Sequence, residues 1–221
     1  MDVQEQVTRI LVVDDHPVSM RGICAIIDGE PDMEVCAMAT SPAEAMRLFI
    51  KRTPDLAVVD LRLGDLSGLD LVRDLLIQQP GFPMLVFSMY EDTLYAERAI
   101  RAGARGYVMK HEPPDVVLAA IRSIHEGRLH LREGLAPQIL SRVLVDKASP
   151  PKDPLTALTD RELQVFHAMA DGQGRKEIAD DIHVSVKTLD GYRRNMVNKL
   201  GLSTATQLAQ LAARYDETGE L

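Results

Sequence analysis

Tryptophan is absent from this chain, cysteine occurs only twice, and aromatic residues make up 4% of its 221 positions. Its cores are therefore built from aliphatic side chains. Cys24 and Cys36 show neither a pairing pattern nor a metal-ligand spacing, which excludes a disulfide framework and points to reduced thiols in a cytosolic protein. No stretch approaches the ~18 consecutive apolar residues of a membrane span. The start, MDVQEQVTRI, lacks the basic region and apolar run of a secretion signal. A cytoplasmic protein with no membrane partner is expected. Positive charge is also lacking: a net charge of -8 excludes a protein that coats nucleic acid through bulk charge, while leaving room for a local basic face.

What is present is enough apolar material, 46% of the residues, for two cores. From Arg9 to about Gly127 short apolar runs alternate with amphipathic stretches. The runs are ILVV at 10 to 13, EVCAMA at 34 to 39, LAVV at 56 to 59, MLVF at 84 to 87 and GYVM at 106 to 109. Alternation of this kind predicts an α/β domain around a five-stranded parallel sheet. Within SPAEAMRLFIKR, Ser41 can cap, Pro42 suits the first helical position and Glu44 completes a capping box, so a helix should begin there. The expected boundaries are a tail at 1–8, the α/β domain at 9–130, and a linker at 131–154. The linker has one short helical pattern around 137–145 and ends in a Lys, Pro and Asp-rich run. A small all-α domain at 155–215 and a tail at 216–221 complete the chain.

The predicted strands differ in the polar residues at their carboxyl ends. ILVV ends in Asp14 and Asp15, LAVV in Asp60, MLVF in Ser88 and GYVM in Lys110. In an open parallel sheet the ligand crevice lies at the carboxyl ends of the strands, so these groups should converge there. Three carboxylates brought together repel unless a hard cation sits among them, and Mg²⁺ is the cation that favours oxygen donors and phosphate partners. An aspartate in such a site can attack a phosphoryl donor while the cation and Lys110 neutralise the developing charge.

Residues 9 to 127 resemble the receiver domain of bacterial response regulators. LVVDDHP is similar to its acidic pair, VVDLRLGDLSG to its phosphoacceptor loop, VFSM to its switch hydroxyl, and GYVMK to its aromatic switch and lysine. The resemblance implies a flavodoxin-like doubly wound fold and phosphorylation of Asp60 by a sensor histidine kinase. It implies Mg²⁺ held by Asp14, Asp15, Asp60 and the backbone carbonyl of Arg62. It also implies that Ser88 turns toward the new phosphoryl oxygens, Tyr107 turns inward behind it and Lys110 pairs with the phosphate. Two positions depart from the family pattern. Gly64 stands where the family often has Pro, predicting a looser loop after Asp60, and His111 stands in place of Pro after Lys110, putting a cis peptide there in doubt. Arg62 and Tyr90, each two positions past a site residue, are candidates for controlling the access of water to the phosphoryl group.

From Leu158 to Tyr215 no strand pattern remains. Thr159 and Glu162 form a capping box opening LTDRELQVFHAMADG, RKEIADDIHV supplies a second helix, and Ser185 can cap a third, VKTLDGYRRNMVNKL. In that third helix Leu189, Tyr192, Arg193, Met196 and Leu200 fall on one face, and Lys187, Gly191, Arg194 and Asn198 on the other. Two short helices joined by a tight turn, the second with a polar outer face, fit a helix-turn-helix. Over 155 to 221 eight Lys and Arg face ten Asp and Glu, yet residues 185 to 201 carry Lys187, Arg193, Arg194 and Lys199 against Asp190 alone. Basic charge is concentrated where a groove-facing helix needs it.

This block resembles the LuxR-type output domain of NarL/FixJ response regulators, through LTDRE, KEIA, SVKT and NKLGL. The two resemblances together imply a phosphorylation-controlled transcription factor with a four-helix output domain. Double-stranded promoter DNA would be contacted by Lys176, Lys187, Thr188, Asp190, Gly191, Arg194, Asn195, Asn198 and Lys199. A homodimer would form through the apolar stripe Ala205, Leu208, Ala209 and Ala212 of the last helix, although such a stripe also suits a core. Against the family pattern, which usually has a basic or variable residue at the Asp190 position and often His at that of Tyr192, Asp190 and Tyr192 depart, and Gly191 is a costly residue in mid-helix. Asp190 precedes Arg194 by four residues, which can steady that base, and Gly191 lets backbone approach DNA. An interaction module that no longer binds DNA, or one that acts without phosphorylation, stays open because the second domain is acidic overall. A Mg²⁺-dependent phosphatase is a remote alternative, since Arg62 stands where such an enzyme wants a second acid. The chain is not expected to be an enzyme.

Overall fold

The computed structural model describes residues 7–64, 66–89, 93–132, 134 and 154–218, with side chains up to Tyr215. The expected helix at 137–145, Tyr90 and both tails beyond Val7 and Thr218 lie outside the described residues. The chain divides into two compact units, Met1–Lys147 and Ala148–Leu221.

In the first unit β1 (Thr8–Val13), α1 (Pro17–Asp28), β2 (Met33–Ala39), α2 (Pro42–Arg52) and β3 (Leu56–Asp60) are followed by a two-stranded hairpin, β4 (Arg62–Leu63) and β5 (Leu66–Ser67). Then come α3 (Gly68–Gln78), β6 (Met84–Ser88), α4 (Thr93–Ala102), β7 (Gly106–Met109) and α5 (Pro114–His125). The main sheet is parallel throughout, in the order β2-β1-β3-β6-β7. It is the doubly wound sheet the alternating pattern predicts. β3 and β6 are buried at every position because helices cover both faces, which is why they read as unbroken apolar runs. Ser41 Oγ accepts from the Glu44 backbone N–H at 3.4 Å with Pro42 opening α2, but the capping box is not closed, because the Glu44 carboxylate accepts from the Thr40 N–H at 3.0 Å instead of that of Ser41. The bulge at Cys36, where the register between β1 and β2 slips by one, was not legible in the sequence. Arg122 on α5 donates to both oxygens of Asp32 at 2.9 and 2.8 Å and to Glu30 at 2.6 Å, clamping α5 to the turn before β2.

In the second unit a short 3-10 turn (Pro154–Ala157) precedes α6 (Asp160–Ala170), α7 (Arg175–Asp181), α8 (Val186–Lys199) and α9 (Ala205–Thr218). Leu155, Leu163, Phe166, Leu189, Met196, Leu208 and Ala212 are fully buried and form its core. The rings of Phe166 and His167 each meet Tyr215 edge-on, with centroids 5.6 Å apart, which fixes α9 against α6. The capping box of Thr159 and Glu162 forms in both directions. Both cysteines are free, and burial pushes the Cys24 thiol up to about 11, so it is an unreactive side chain. No helix among the described residues is long and apolar enough to cross a membrane.

Candidate functional site

The carboxyl ends of β1, β3, β6 and β7 bring Asp14, Asp15, Asp60, Ser88 and Lys110 together, as the strand-end pattern requires. Lys110 Nζ donates to Asp14 Oδ2 at 2.7 Å and to Asp60 Oδ2 at 2.8 Å, and its side chain is only 8% exposed. Lys110 is fixed from behind by its own backbone N–H, which donates to the Ser88 carbonyl at 2.7 Å. Burial pushes the Asp60 carboxyl up to about 6, with the Lys110 ammonium opposing and the charge of Asp14 adding to the rise. Burial also works against ionisation of Asp14, but hydrogen bonds from Lys110, Ser19 and the His16 backbone outweigh it and hold that carboxyl below its usual range. A cleft of about 550 Å³ opens over Asp60, lined by His16, Ser19, Arg62, Phe87, Met89 and Lys110 among others. A donor in that cleft reaches Asp60 directly.

Two members of this cluster were not singled out from the sequence. His16 Nδ1 stands 2.8 Å from Asp15 Oδ1, 3.4 Å from Asp14 Oδ1 and 3.7 Å from Asp60 Oδ2. Its position follows from Pro17, which opens α1 and leaves His16 as the extended residue before it. Ser19, one turn into α1, donates its hydroxyl to Asp14 Oδ2 at 2.5 Å. Ligand atoms of Asp14, Asp15, His16 and Asp60 all lie within 4.8 Å of one another. Asp15 Oδ1 is buried and receives no hydrogen bond among the described residues, with the His16 imidazole nitrogen as its ionic neighbour. A buried anionic oxygen in that condition, beside two further carboxylates, suits a hard cation.

Gly64, after β4, adopts φ +60, and its N–H donates to Asp15 Oδ2 at 2.6 Å. A proline there can supply neither the angle nor the donor, so glycine pins the loop. Gly68 opens α3 so close to the phosphoacceptor loop that a Cβ would come within 1.9 Å of the Asp60 carbonyl oxygen. No peptide bond among the described residues is cis. Tyr107 is buried on β7, and its N–H donates to the His130 carbonyl at 3.1 Å.

In the helical unit α8 places Lys187, Thr188, Arg194, Asn195 and Asn198 on the exposed side, with Leu189 and Met196 buried behind them. Lys176 is exposed near the start of α7. Around Gly191 a Cβ would meet nothing within 4 Å, so the middle of this face is open. Three expectations need correction. Asp190 does not steady Arg194: its carboxylate accepts from the Arg175 guanidinium at the start of α7, a partner fifteen residues away that the helical repeat cannot reveal. Lys199 is exposed, but its ammonium is engaged, donating to the buried Glu162 at 2.6 Å. That contact helps to hold the Glu162 carboxyl below its usual range against the effect of burial. Finally, the stripe assigned to a dimer face divides. Leu208 and Ala212 are wholly buried in the domain core, leaving Ala205 and Ala209 exposed.

Residues 10–122 match the response regulator receiver domain family, and residues 156–212 match the bacterial regulatory proteins of the luxR family. The chain belongs to the response regulator family. It is 30% identical to the oxygen regulatory protein NreC of Staphylococcus epidermidis over 93% of this chain and 97% of that relative. Among solved structures, a LuxR-family two-component response regulator from Aurantimonas sp. is 33% identical and aligns with a TM-score of 0.58. The match covers 63% of this chain and 99% of that one. ChrA, the response regulator of a heme-sensing two-component system, is 27% identical with a TM-score of 0.51, over 96% of this chain and 98% of its own. This response regulator is thus a phosphorylation-controlled, DNA-binding transcriptional regulator whose two domains imply a kinase and DNA as partners.

Proposed function

We propose that Asp60 accepts the phosphoryl group, on the strength of one observation: its buried carboxylate lies 2.8 Å from the Lys110 ammonium and opens onto a wide cleft. The donor is the phosphohistidine of a sensor histidine kinase. A carboxylate oxygen of Asp60 bonds to phosphorus, the phosphorus–nitrogen bond breaks, and the imidazole leaves as a neutral ring once protonated. Asp14, Asp15, Asp60 and the Arg62 carbonyl are the groups that hold Mg²⁺, which when bound supplies positive charge against the transferring phosphoryl oxygens. Asp14 keeps Lys110 aimed at the site. The product carries about -1.5 to -2 charge at one buried point where the carboxylate carried about -1, and Ser88 and Lys110 are the donors placed to meet it. Arg62, in the cleft wall, is placed to limit the entry of water.

The output acts in the cytoplasm on promoter DNA through the exposed face of α8, with Lys176 adding a backbone contact from α7. Homodimerisation on phosphorylation involves α9 through Ala205 and Ala209, not the buried half of the stripe. The test is promoter binding by fluorescence anisotropy at fixed salt, with and without acetyl phosphate and Mg²⁺. Phosphorylation is followed by intact mass. The parent protein gains mass and affinity together, and Asp60→Asn gains neither. A parent that gains affinity with Asp60 unmodified, or an Asp60→Asn variant that responds like the parent, overturns the assignment.

A further inference from the structure

A second cleft, of about 410 Å³, lies in the helical unit beside α8. It is lined by Arg175, Asp190, Arg193, Arg194, Ser203 and Ala205 among others. Three guanidinium groups face one carboxylate there, and that carboxylate is already taken by Arg175, leaving a surplus of two positive charges. Arg193 Nε is buried and makes no hydrogen bond among the described residues. The first turn of the 14-residue α9 opens into the same space. Gln207 Oε1 accepts from the N–H groups of Ser203 and Thr204 at 2.7 and 3.2 Å, so the amides that follow at Ala205 and Thr206 are the first-turn donors left without an intrahelical partner. A helix N-terminus, a buried orphan N–H and surplus guanidinium charge all call for the same ligand, an oxyanion.

We propose that this cleft is a phosphate-binding site, with Arg193 as its central donor, and that the phosphate is one of the DNA backbone flanking the bases read by α8. Arg193 and Arg194 line the same cleft, so a duplex seated on the exposed side of Arg194 brings a backbone phosphate to its mouth. Such a contact carries no sequence information and sets the register of the helix in the groove. The proposal rests on the DNA-binding reading for its source of phosphate but not for the site itself.

The experiment compares the full-length parent with Arg193→Gln and Arg193→Lys. Loss of one phosphate contact predicts about a tenfold weaker affinity of Arg193→Gln for promoter and for unrelated duplex alike. The slope of log affinity against log salt becomes shallower by about one, and Arg193→Lys recovers part of both. Thermal melting of the variants separates this from misfolding. On duplexes carrying a neutral methylphosphonate at single positions, one position weakens the parent and leaves Arg193→Gln unchanged. In a second arm, inorganic pyrophosphate is titrated into DNA-free protein while the Arg193 Nε–H resonance is followed. A saturable shift with no effect of Arg193→Gln on any duplex assigns the site to a free phosphate and overturns the DNA source. No shift together with unaltered DNA binding overturns the site altogether. A parent that binds no duplex in either phosphorylation state defeats the DNA reading instead, and the pyrophosphate arm still decides the cleft.

Discussion

Gly64 and Gly68 frame the Asp60 loop for different reasons, and each makes a separate prediction. Gly64 needs its positive φ and its N–H, the latter held by Asp15 at 2.6 Å. Restoring the residue the family often carries, by Gly64→Pro, forces φ to about -65° and removes the donor. Backbone conflict and a lost hydrogen bond to a charged acceptor together amount to about 2–4 kcal/mol of local stability. We expect the thermal midpoint to fall and Mg²⁺ affinity, measured by titration calorimetry, to weaken; an unaltered Mg²⁺ affinity would mean that the Gly64 contact does not position Asp15. Gly68→Ala sets a methyl against the Asp60 carbonyl. The main chain at Asp60 must shift, and phosphorylation by acetyl phosphate should slow by about tenfold or more, in keeping with the cost of ~1 Å misplacement in a positioned site. At Gly191 the opposite holds, because the surrounding space is empty. Gly191→Ala should raise the stability of the helical domain by about 1 kcal/mol. Gly191→Leu should fold equally well and lose DNA binding in an anisotropy assay. If both bind as the parent does, α8 does not face DNA through its centre.

Among elements, those whose burial is continuous were the most legible. β1, β3, β6 and β7 declared themselves because a parallel strand covered on both faces is a nearly unbroken apolar run, unlike the edge strand β2 with its exposed Glu34 and Met38, and the chemistry declared itself because polar residues end those runs at Asp14, Asp60, Ser88 and Lys110. What stayed hidden depends on contacts between distant segments or on elements too short to have a period. The hairpin β4–β5 has two residues in each strand. His16 joins the acids only because Pro17 starts a helix. Arg175 with Asp190 and Lys199 with Glu162 are side-chain pairs set by how the helices pack. The stripe on α9 was visible, but hydrophobic spacing does not say whether a helix faces its own core or a second copy, and here Leu208 and Ala212 face the core. The Glu162 contact has a pH signature. Its carboxyl is depressed in the folded state, so its stabilisation is complete above the ordinary glutamate range near 4.5 and is lost as pH falls below that value through the folded one. Urea unfolding of the helical domain should therefore weaken below about pH 4.5 in the parent. Glu162→Gln should start less stable at neutral pH and show a flatter acid limb. Parallel acid limbs in the two proteins would assign the acid sensitivity to other carboxylates.

At the scale of the whole molecule, the acidic balance decides how this regulator must bind DNA. A chain of net charge -8 gains nothing from bulk attraction, so affinity depends on the few basic groups that reach phosphate. With Lys199 engaged by Glu162, the cations of α7, α8 and the cleft placed to reach phosphate are Lys176, Lys187, Arg193 and Arg194, with Arg175 shared with Asp190. At about 0.9 per phosphate neutralised, one protomer yields a salt slope of about -4. A second protomer on an adjacent half-site doubles that slope, and it does so only if phosphorylation pairs the protomers. The regulatory event is therefore readable as an electrostatic quantity. Phosphorylated parent should show a slope near about -8 on a promoter with two half-sites and about -4 on a single half-site. Unphosphorylated protein and Asp60→Asn should show about -4 on both. Equal slopes on the two duplexes after phosphorylation would mean that the phosphoryl group acts within one protomer, by uncovering α8, and not by joining two.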